Sequence, residues 1–158
     1  MIALIVAYTK NKVIGKNGII PWKIKGEQTR FKELTTGNIV IMGRLSYEEI
    51  GKPLPDRTTI VISNSKQYEE ENCFTCGSLA EALALAGNKD VYISGGYRLY
   101  KEAIDIVDKM YITVIDKEIE GDTYFPDFDE TKFTMNIDNV FDADVPYKYL
   151  TYTRIKDF

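Results

Sequence analysis

Histidine is absent from this 158-residue chain, and its absence restricts the chemistry that the protein can perform. Histidine is the usual general base at neutral pH, the base of Ser-His-Asp and Cys-His catalytic sets, and the commonest metal ligand. Without it, acid-base catalysis must use a carboxylate, a lysine, a tyrosine or water. The sequence therefore excludes the most frequent hydrolase mechanisms and lacks the commonest metal ligand.

Cysteine occurs only twice, at Cys73 and Cys76, with the C-x-x-C spacing of a redox dithiol or of half a zinc site. A four-coordinate zinc ion would need carboxylates or another subunit, because there is no second cysteine pair. A redox pair prefers the N-terminus of a helix, and Ser78 with Glu81 predicts a capping box just downstream. Two unpaired thiols in a reducing compartment are the simpler interpretation.

Long apolar runs and blocks of like charge are also missing. The apolar start, MIALIVAY, is too short to span a membrane and lacks a basic flank, so we interpret it as the first strand of a cytoplasmic protein. The net charge is −4, and no cluster of lysine and arginine is long enough to follow a polyanion. Neither nucleic acid nor a membrane is an expected partner.

Strand-like runs rich in Val, Ile and Tyr alternate with helical segments along the chain. We predict strands at Ile2–Tyr8, Ile39–Met42, Thr59–Ser63, Cys73–Thr75, Val91–Ser94, Lys109–Val114, Phe133–Asn136 and Tyr149–Ile155. Helices are predicted at Lys25–Thr35, Leu45–Ile50, Leu79–Ala86 and Tyr97–Ile104. Apolar runs such as IALIVA and IVIM are typical of strands buried on both faces of a parallel sheet. The pattern predicts one α/β domain over residues 1–158, with a doubly wound, mostly parallel sheet and an antiparallel C-terminal strand.

Glu27 departs most clearly from the pattern of its helix. Phe31 and Leu34 lie four and seven positions further on, so a carboxylate shares the apolar face that should meet the core. A buried, unpaired carboxylate is costly, and such positions are frequent in functional sites. An acidic residue in the first helical turn is also common at the surface, where it complements the helix dipole.

Two strand-to-helix junctions have features of a phosphate-binding site. In open α/β sheets, ligands bind beyond the carboxyl ends of the strands. At Ser94–Gly96, the glycines let a ligand approach the backbone, and the next helix presents free N–H groups. At Gly43–Ser46 a cation and a hydroxyl follow a strand, and Ser63 and Asn64 end the next one. Together they suit a pyrophosphate and a separate monophosphate, as in NADPH, although each junction alone predicts only a turn.

Two connections add to this pattern. The proline-stiffened segment Gly51–Arg57 carries a guanidinium that can clamp a carboxylate, although a surface arginine is the commoner outcome. The segment Tyr8–Lys23 is a long connection that ends in Pro21-Trp22. Connections of this length in compact domains are often lids.

The sequence resembles dihydrofolate reductase from Ile2 to about Tyr152. The motifs of that family occur in its order: VIG at 13–15, Pro21-Trp22, an acid at 27, Phe31, VIMGR at 40–44, PLPxR at 53–57, ISGGxxxY at 93–100, IT at 112–113 and GDTxFP at 121–126. Each motif is short, but their joint occurrence is specific. The resemblance implies a monomeric, NADPH-dependent oxidoreductase of one-carbon metabolism that reduces 7,8-dihydrofolate to tetrahydrofolate and binds antifolates.

The resemblance also implies roles for individual residues. Glu27 would be the ionised group of the pterin pocket, a water beside Trp22 would deliver the proton, and Thr113 would brace Glu27. Substrate contacts are implied for Ile5, Ala7, Glu27, Gln28, Phe31, Ile50, Leu54, Thr113 and Arg57, with Arg57 holding the α-carboxylate of the substrate's glutamate tail. Cofactor contacts are implied for Ala7, Ile14, Gly15, Arg44, Leu45, Ser46, Ser63, Asn64, Ser94, Gly95, Gly96, Tyr97, Arg98, Leu99 and Tyr100.

Four positions depart from the family pattern. Bacterial members commonly have Asp and then Leu where this chain has Glu27 and Gln28, and a branched apolar residue where it has Ser94. In these three residues the chain resembles the mobile, trimethoprim-insensitive reductases, which predicts trimethoprim resistance and hence a role in antibiotic resistance. A basic residue frequent near the adenosine end is replaced around Cys76-Gly77, so the strength of the preference for NADPH over NADH is open.

Two other functions remain open from the sequence. One is a related pyrimidine reductase of riboflavin synthesis, against which Pro21-Trp22, Glu27 and Arg57 argue. The other is a non-catalytic nucleotide-binding module with the same fold. Oxidation of NADPH in the presence of dihydrofolate separates all three.

Overall fold

The sheet strands and helices follow the predicted order closely. The computed structural model describes residues 1–15 and 24–156, so Pro21 and Trp22 of the predicted lid lie outside the described residues. The large sheet contains β1 Ile2–Thr9, β3 Ile39–Gly43, β4 Thr58–Ile62, β5 Cys73–Cys76, β6 Val91–Ile93, β7 Lys109–Ile115, β9 Phe133–Phe141 and β10 Tyr147–Arg154. A two-stranded sheet pairs β2 Val13–Gly15 with β8 Thr123–Tyr124. The helices are α1 Lys25–Thr35, α2 Arg44–Ile50, α3 Leu79–Ala86 and α4 Tyr97–Ala103, with a 3-10 turn at Glu130–Lys132.

Apart from shifts of one or two residues at the ends of elements, as in β10, which begins at Tyr147 and not at Tyr149, the differences from the prediction fall on short or exposed elements. Strands β2 and β8 have three and two residues, too few for a periodic pattern, and neither is among the predicted strands. Strand β9 continues to Phe141 instead of ending at Asn136. Most of its side chains are exposed at the edge of the sheet, so they carry no alternating apolar signal.

The eight strands lie in the order β5-β4-β3-β6-β1-β7-β10-β9. Strands β1, β3, β4, β5, β6 and β7 are parallel, whereas β10 is antiparallel to both of its neighbours. This confirms the mostly parallel sheet with an antiparallel C-terminal strand. Alternate residues of β1 belong to different core clusters: Leu4 and Val6 pack in one, Ala3 and Ile5 in another. The central strand is therefore buried on both faces, as its continuous apolar run predicts.

The strand order creates a switch point in the sheet. From β1 the chain proceeds to β3, β4 and β5, and it then returns so that β6 lies between β3 and β1. After β3 the chain leads to β4 on one side, and after β6, the neighbour of β3, it leads to β7 on the other side. Such a point leaves a crevice at the carboxyl ends of the strands, which is where ligands bind in open α/β sheets.

A buried arginine attaches α1 to the sheet. Arg30 is only 7% exposed. Its Nη1 donates to the main-chain carbonyl of Ile112 on β7 at 2.9 Å, and its Nη2 donates to that of Leu150 on β10 at 3.0 Å. Nη2 also forms an ion pair of 3.1 Å with Asp138 on β9. One side chain thus connects the helix to three strands.

The two cysteines lie on a strand and not at the start of a helix, where a redox pair was considered. Both thiols are free, and Cys73 and Cys76 stand three residues apart on the single strand β5, where they point to opposite faces. Burial raises the pKa of both thiols, which disfavours the reactive thiolate. Among the described residues, no group of three or more Cys, Asp or Glu side chains is placed to hold a metal ion.

The predicted capping box forms only in part. The Ser78 hydroxyl accepts the Glu81 N–H at 3.1 Å, as expected at the start of α3. The Glu81 carboxylate accepts from Gly77 N–H rather than from Ser78. Within the described part of the chain, no helix is sufficiently long and apolar to cross a membrane.

We predict that Arg30→Met destabilises the fold by about 2–4 kcal/mol, because it leaves buried carbonyls of two strands without their donor. The substitution keeps an unbranched, flexible side chain and removes every donor. Lys32→Met on the exposed face of the same helix is the control, with an expected change within about 0.5 kcal/mol. Denaturant unfolding measures both, and equal midpoints would contradict the role of Arg30.

Candidate active site

A cleft of about 1390 Å³ lies beyond the carboxyl ends of β1, β3, β4 and β6. This volume exceeds the roughly 300–1,000 Å³ of a typical small-molecule site, so the cleft has room for more than one ligand. It is lined by nearly all the predicted site residues within the described part: Ile5, Ala7, Ile14, Gly15, Glu27, Gln28, Phe31, Arg44, Leu45, Ser46, Ile50, Leu54, Arg57, Ser63, Asn64, Ser94, Gly95, Gly96, Tyr97, Arg98, Leu99 and Tyr100. Trp22 lies outside the described residues.

Glu27 places a carboxylate inside this cleft from the first turn of α1. Burial raises its pKa above the ordinary value. None of the ion pairs among the described residues involves Glu27. Burial raises the pKa of Tyr100, and the negative charge of Glu27 raises it further. The Tyr100 hydroxyl donates to the Ile5 carbonyl at 2.9 Å. A carboxylate in this state is available to accept hydrogen bonds from a ligand and to favour its protonation.

Apolar side chains from β1, α1, α2 and the loop that follows α2 surround the Glu27 end of the cleft. Phe31 packs against both smaller core clusters, so its ring is fixed between the helix and the sheet. Ile50 is 41% exposed at the rim and Ile5 is buried at the base. These side chains, with Ala7 and Leu54, form the wall of a slot suited to a flat ring system.

Arg57 provides a fixed cation at the edge of this slot. It is 7% exposed, its Nε donates to the Pro55 carbonyl at 2.9 Å, and its Nη1 donates to the Thr35 hydroxyl at 3.2 Å. Its Nη2 makes no hydrogen bond to any described residue, and burial lowers the pKa of the guanidinium, which stays charged. A braced guanidinium with free donors suits a carboxylate ligand.

Glycines form a narrow cradle between the ends of β3 and β6. Gly43 N–H donates to the Gly95 carbonyl at 2.8 Å, so the two strand ends are joined. Gly95 has φ +110, and a Cβ there would stand 3.2 Å from the Ser46 hydroxyl. A Cβ on Gly43 would lie 3.6 Å from the Gly95 carbonyl oxygen. Side chains would fill this channel, so the glycines leave room for a ligand close to the backbone and the N-terminus of α4.

A cluster of charges lies where α2 begins. Arg44 pairs with Glu48 at 3.0 Å, and Lys66 approaches the same carboxylate oxygen at 3.7 Å. The Tyr68 hydroxyl donates to that oxygen at 2.6 Å and, with Arg44, lowers the Glu48 pKa. Arg44 is therefore held in place, next to a second cation that the sequence did not indicate. The two cations together can bind an anion such as a phosphate.

Thr113 is the one predicted site residue in the described part that does not line the cleft. It is buried on β7, directly opposite Ala7 of β1. No hydrogen bond connects its hydroxyl with Glu27, although both residues are described. Its bracing role therefore stays a prediction, and any link to Glu27 must pass through water or ligand.

Several residues of the lining were not predicted. Lys32 and Glu49 reach the cleft from helices, and each stands four positions after a predicted residue, Gln28 and Leu45. Asp122–Tyr124 reach it because β8 pairs with β2. The others are Val6, Gly43, Ile62, Ser65 and Glu102, most of them neighbours of predicted residues.

Comparison with known proteins identifies the family. The family model for dihydrofolate reductase matches residues 1–154. The chain is 42% identical over 129 residues to dihydrofolate reductase type 3 of Salmonella typhimurium, covering 81% of this chain and 80% of the relative. It is 36% identical over 152 residues to dihydrofolate reductase of Bacillus subtilis, covering 94% and 90%. A solved Enterococcus faecalis dihydrofolate reductase, complexed with NADP(H) and RAB-propyl, matches with a TM-score of 0.90 and 35% identity over 99% of this chain and 97% of that one.

The chain belongs to the dihydrofolate reductase family. The family reduces dihydrofolate with NADPH, so the chain is an NADPH-dependent oxidoreductase of folate metabolism.

Proposed function

We propose that the cleft holds dihydrofolate in the apolar slot and NADPH along the glycine cradle, and that Glu27 promotes protonation of the substrate. NADPH supplies the hydride, which is added to C6 of dihydrofolate while N5 receives a proton. The observation that carries this proposal is the half-buried Glu27 carboxylate, which has a raised pKa and no ion pair among the described residues. With no histidine in the chain, it is the acid-base group best placed in the slot.

The remaining contacts follow from the cleft. Glu27 accepts hydrogen bonds from the pterin ring and raises the basicity of N5, and Arg57 holds the α-carboxylate of the glutamate tail. Arg44, Ser46, Ser63 and Asn64 surround the adenosine 2′-phosphate. In this proposal a water beside Trp22 delivers the proton, and Thr113 orders a water that reaches Glu27.

Family membership and the site together argue against the two alternatives. A non-catalytic nucleotide-binding module needs the glycine cradle but has no use for a carboxylate whose burial raises its pKa. A pyrimidine reductase acts on a ribosylated amine and has no need of the braced cation at Arg57. Loss of NADPH absorbance on addition of dihydrofolate tests the proposal directly.

The location, oligomeric state and partners of the protein are proposed on the same basis. We infer that the protein acts in the cytoplasm as a monomer on small molecules, and that neither nucleic acid nor a membrane takes part. Glu27, Gln28 and Ser94 all line the cleft, which supports a trimethoprim-insensitive enzyme with a role in antibiotic resistance.

We predict that Glu27→Gln loses turnover at pH 7 by several orders of magnitude, because the amide cannot raise the basicity of N5. Activity should recover partly in acid, where free protons replace the assisted transfer. Glu33→Gln, an exposed carboxylate on the same helix, is the control and should behave like the wild type. Steady-state rates across the pH range measure this, and full activity of Glu27→Gln at pH 7 would refute the assignment.

The stability of Glu27→Gln can also be predicted. Because its folded-state pKa is raised, the Glu27 carboxyl stabilises the fold fully below its ordinary pKa near 4.5 and loses this contribution as the pH rises through the folded value. Glu27→Gln should therefore be at least as stable as the wild type at pH 7, so lost activity there does not reflect unfolding.

Arg44→Ala is expected to weaken NADPH binding by about 1.5–3 kcal/mol and to leave NADH binding almost unchanged, since only NADPH carries the 2′-phosphate. Removing Arg44 also leaves the Glu48 carboxylate near the phosphate, and Lys66 is then the remaining cation that pairs with Glu48. Lys89→Ala, an exposed cation outside the cleft, is the control. Fluorescence titration with both cofactors decides the matter, and equal losses for the two would make Arg44 structural.

Trimethoprim should bind poorly. A glutamate is one methylene longer than the aspartate of sensitive relatives, so the charge-assisted pair with a diaminopyrimidine is displaced, whereas dihydrofolate keeps its remote contacts. Gln28 and Ser94 add polar groups to the wall, each costing roughly 1–3 kcal/mol when imperfectly paired. Inhibition assays at subsaturating dihydrofolate measure this.

The triple variant Glu27→Asp, Gln28→Leu and Ser94→Ile should regain much of the sensitivity while still transferring hydride. Gln67→Leu, an exposed glutamine outside the cleft, should leave inhibition unchanged. Nanomolar inhibition of the wild-type enzyme would rule out the proposed insensitivity.

A further inference from the structure

The first turn of α1 is held by two tyrosines of the distant strand β10. The Tyr149 hydroxyl donates to the Gly26 carbonyl at 2.5 Å across 123 residues of sequence. The Tyr147 ring lies directly against Gly26, because a Cβ built there would overlap its hydroxyl. Gly26 immediately precedes Glu27. These contacts therefore act one residue from the carboxylate that lines the cleft.

Among the described residues, this helix start has no side-chain cap. The N-cap residue is Ile24, whose side chain makes no capping hydrogen bond. The first turn of a helix has unpaired N–H groups and frays unless something fixes it. The two tyrosines provide an external support at that turn, and glycine at position 26 permits the approach of Tyr147.

The support itself is rigid. Phe141, Tyr147 and Tyr149 pack as an aromatic cluster, with ring centroids 4.6 Å apart for Phe141–Tyr147 and 4.8 Å for Phe141–Tyr149. The Arg30 guanidinium lies 4.6 Å from the centre of the Tyr149 ring. Because Arg30 also ties α1 to β7 and β10, the tyrosine ring is enclosed between the helix and the sheet.

We propose that Tyr149, with Tyr147, is a positioning residue for catalysis: its hydrogen bond to Gly26 fixes the first turn of α1 and so sets how deeply Glu27 sits in the slot. The proposal rests on the proposed role of Glu27. Tyr149 acts through the main chain of the helix and touches neither reacting atom. In the described part of the chain, the titratable groups outside α1 that interact electrostatically with Glu27 are Tyr100 on α4 and Tyr149 itself, and both are neutral at working pH.

Tyr149→Phe tests this, because it keeps the ring and removes only the hydrogen bond. A first turn that moves more freely admits water to Glu27, so the pKa seen in the pH profile of hydride transfer should fall. The hydride-transfer rate should fall about 2- to 10-fold, the range for one lost hydrogen bond. NADPH affinity should not change, since the support lies at the other end of the cleft.

Tyr152→Phe is the matched control on the same strand. Its hydroxyl donates to Glu130 at 3.2 Å, away from the cleft, so its loss should leave the rate and the pH profile as they are. A Tyr149→Phe enzyme with the wild-type rate and profile would overturn the proposal. So would a variant with a lower melting temperature but an unshifted profile, because that result shows a structural role alone.

A variant at Gly26 tests the contact between the first turn of α1 and Tyr147 by steric overlap. Gly26→Ala should impair hydride transfer because its methyl overlaps the Tyr147 ring, and Tyr147→Ala in the same chain should restore part of the rate. Absence of rescue would count against the proposal. If Glu27→Gln is inactive while Tyr149→Phe matches the wild type, only the positioning role fails; if Glu27→Gln is active, the proposed function itself fails.

Discussion

The Arg30 side chain is the interaction on which the cleft depends. Helix α1 carries Glu27 and Phe31, yet its most buried residues are Arg30 and Thr35 rather than apolar ones. Arg30 donates to carbonyls on β7 and β10 and pairs with Asp138 on β9, so its charge is compensated on the side of the sheet. A buried charge is tolerated only when it is paired and hydrogen-bonded in this way. The position of the helix, and hence the width of the slot, follows from these bonds.

Helix α1 thus carries a buried cation, Arg30, which has an ion pair, and a half-buried carboxylate, Glu27, which has none among the described residues. Every contact of Arg30 points to the sheet, and none of the ion pairs in the described chain joins it to Glu27. Had Arg30 paired with Glu27, the cation would have lowered the pKa of the carboxyl. Burial alone acts on Glu27 and raises its pKa. The fold gives up some stability at neutral pH to keep this carboxylate free for a ligand.

Local patterns predicted most of the fold and the lining of the cleft. The bounds of α1 and α3 match the prediction, because Gly37 and Gly87 mark their ends and Ser78 caps the second. The structure also places Arg44, Ser63 and Gly95 around one cleft, as the rule for strand ends predicts. In contrast, the contacts of Arg30 and Tyr149 span 82 and 123 residues. An arginine on a helix and a tyrosine on a strand have the same appearance in sequence whether they are exposed or tie two elements together.

The charge cluster at α2, at the cofactor end of the cleft, is a second arrangement that local sequence patterns predicted only in part. Arg44 was predicted from its junction, and Glu48 meets it because the two stand four residues apart on α2. Lys66 and Tyr68 join them because they follow β4, which lies beside β3 in the sheet. Glu48 accepts from Arg44 through both of its oxygens and is approached by Lys66 at one of them, so it offsets part of the charge of both cations. A 2′-phosphate must therefore compete with a carboxylate for Arg44. The discrimination between NADPH and NADH depends on how far the phosphate outcompetes Glu48, and Lys66 shifts that balance towards the phosphate because it supplies the charge that Glu48 removes.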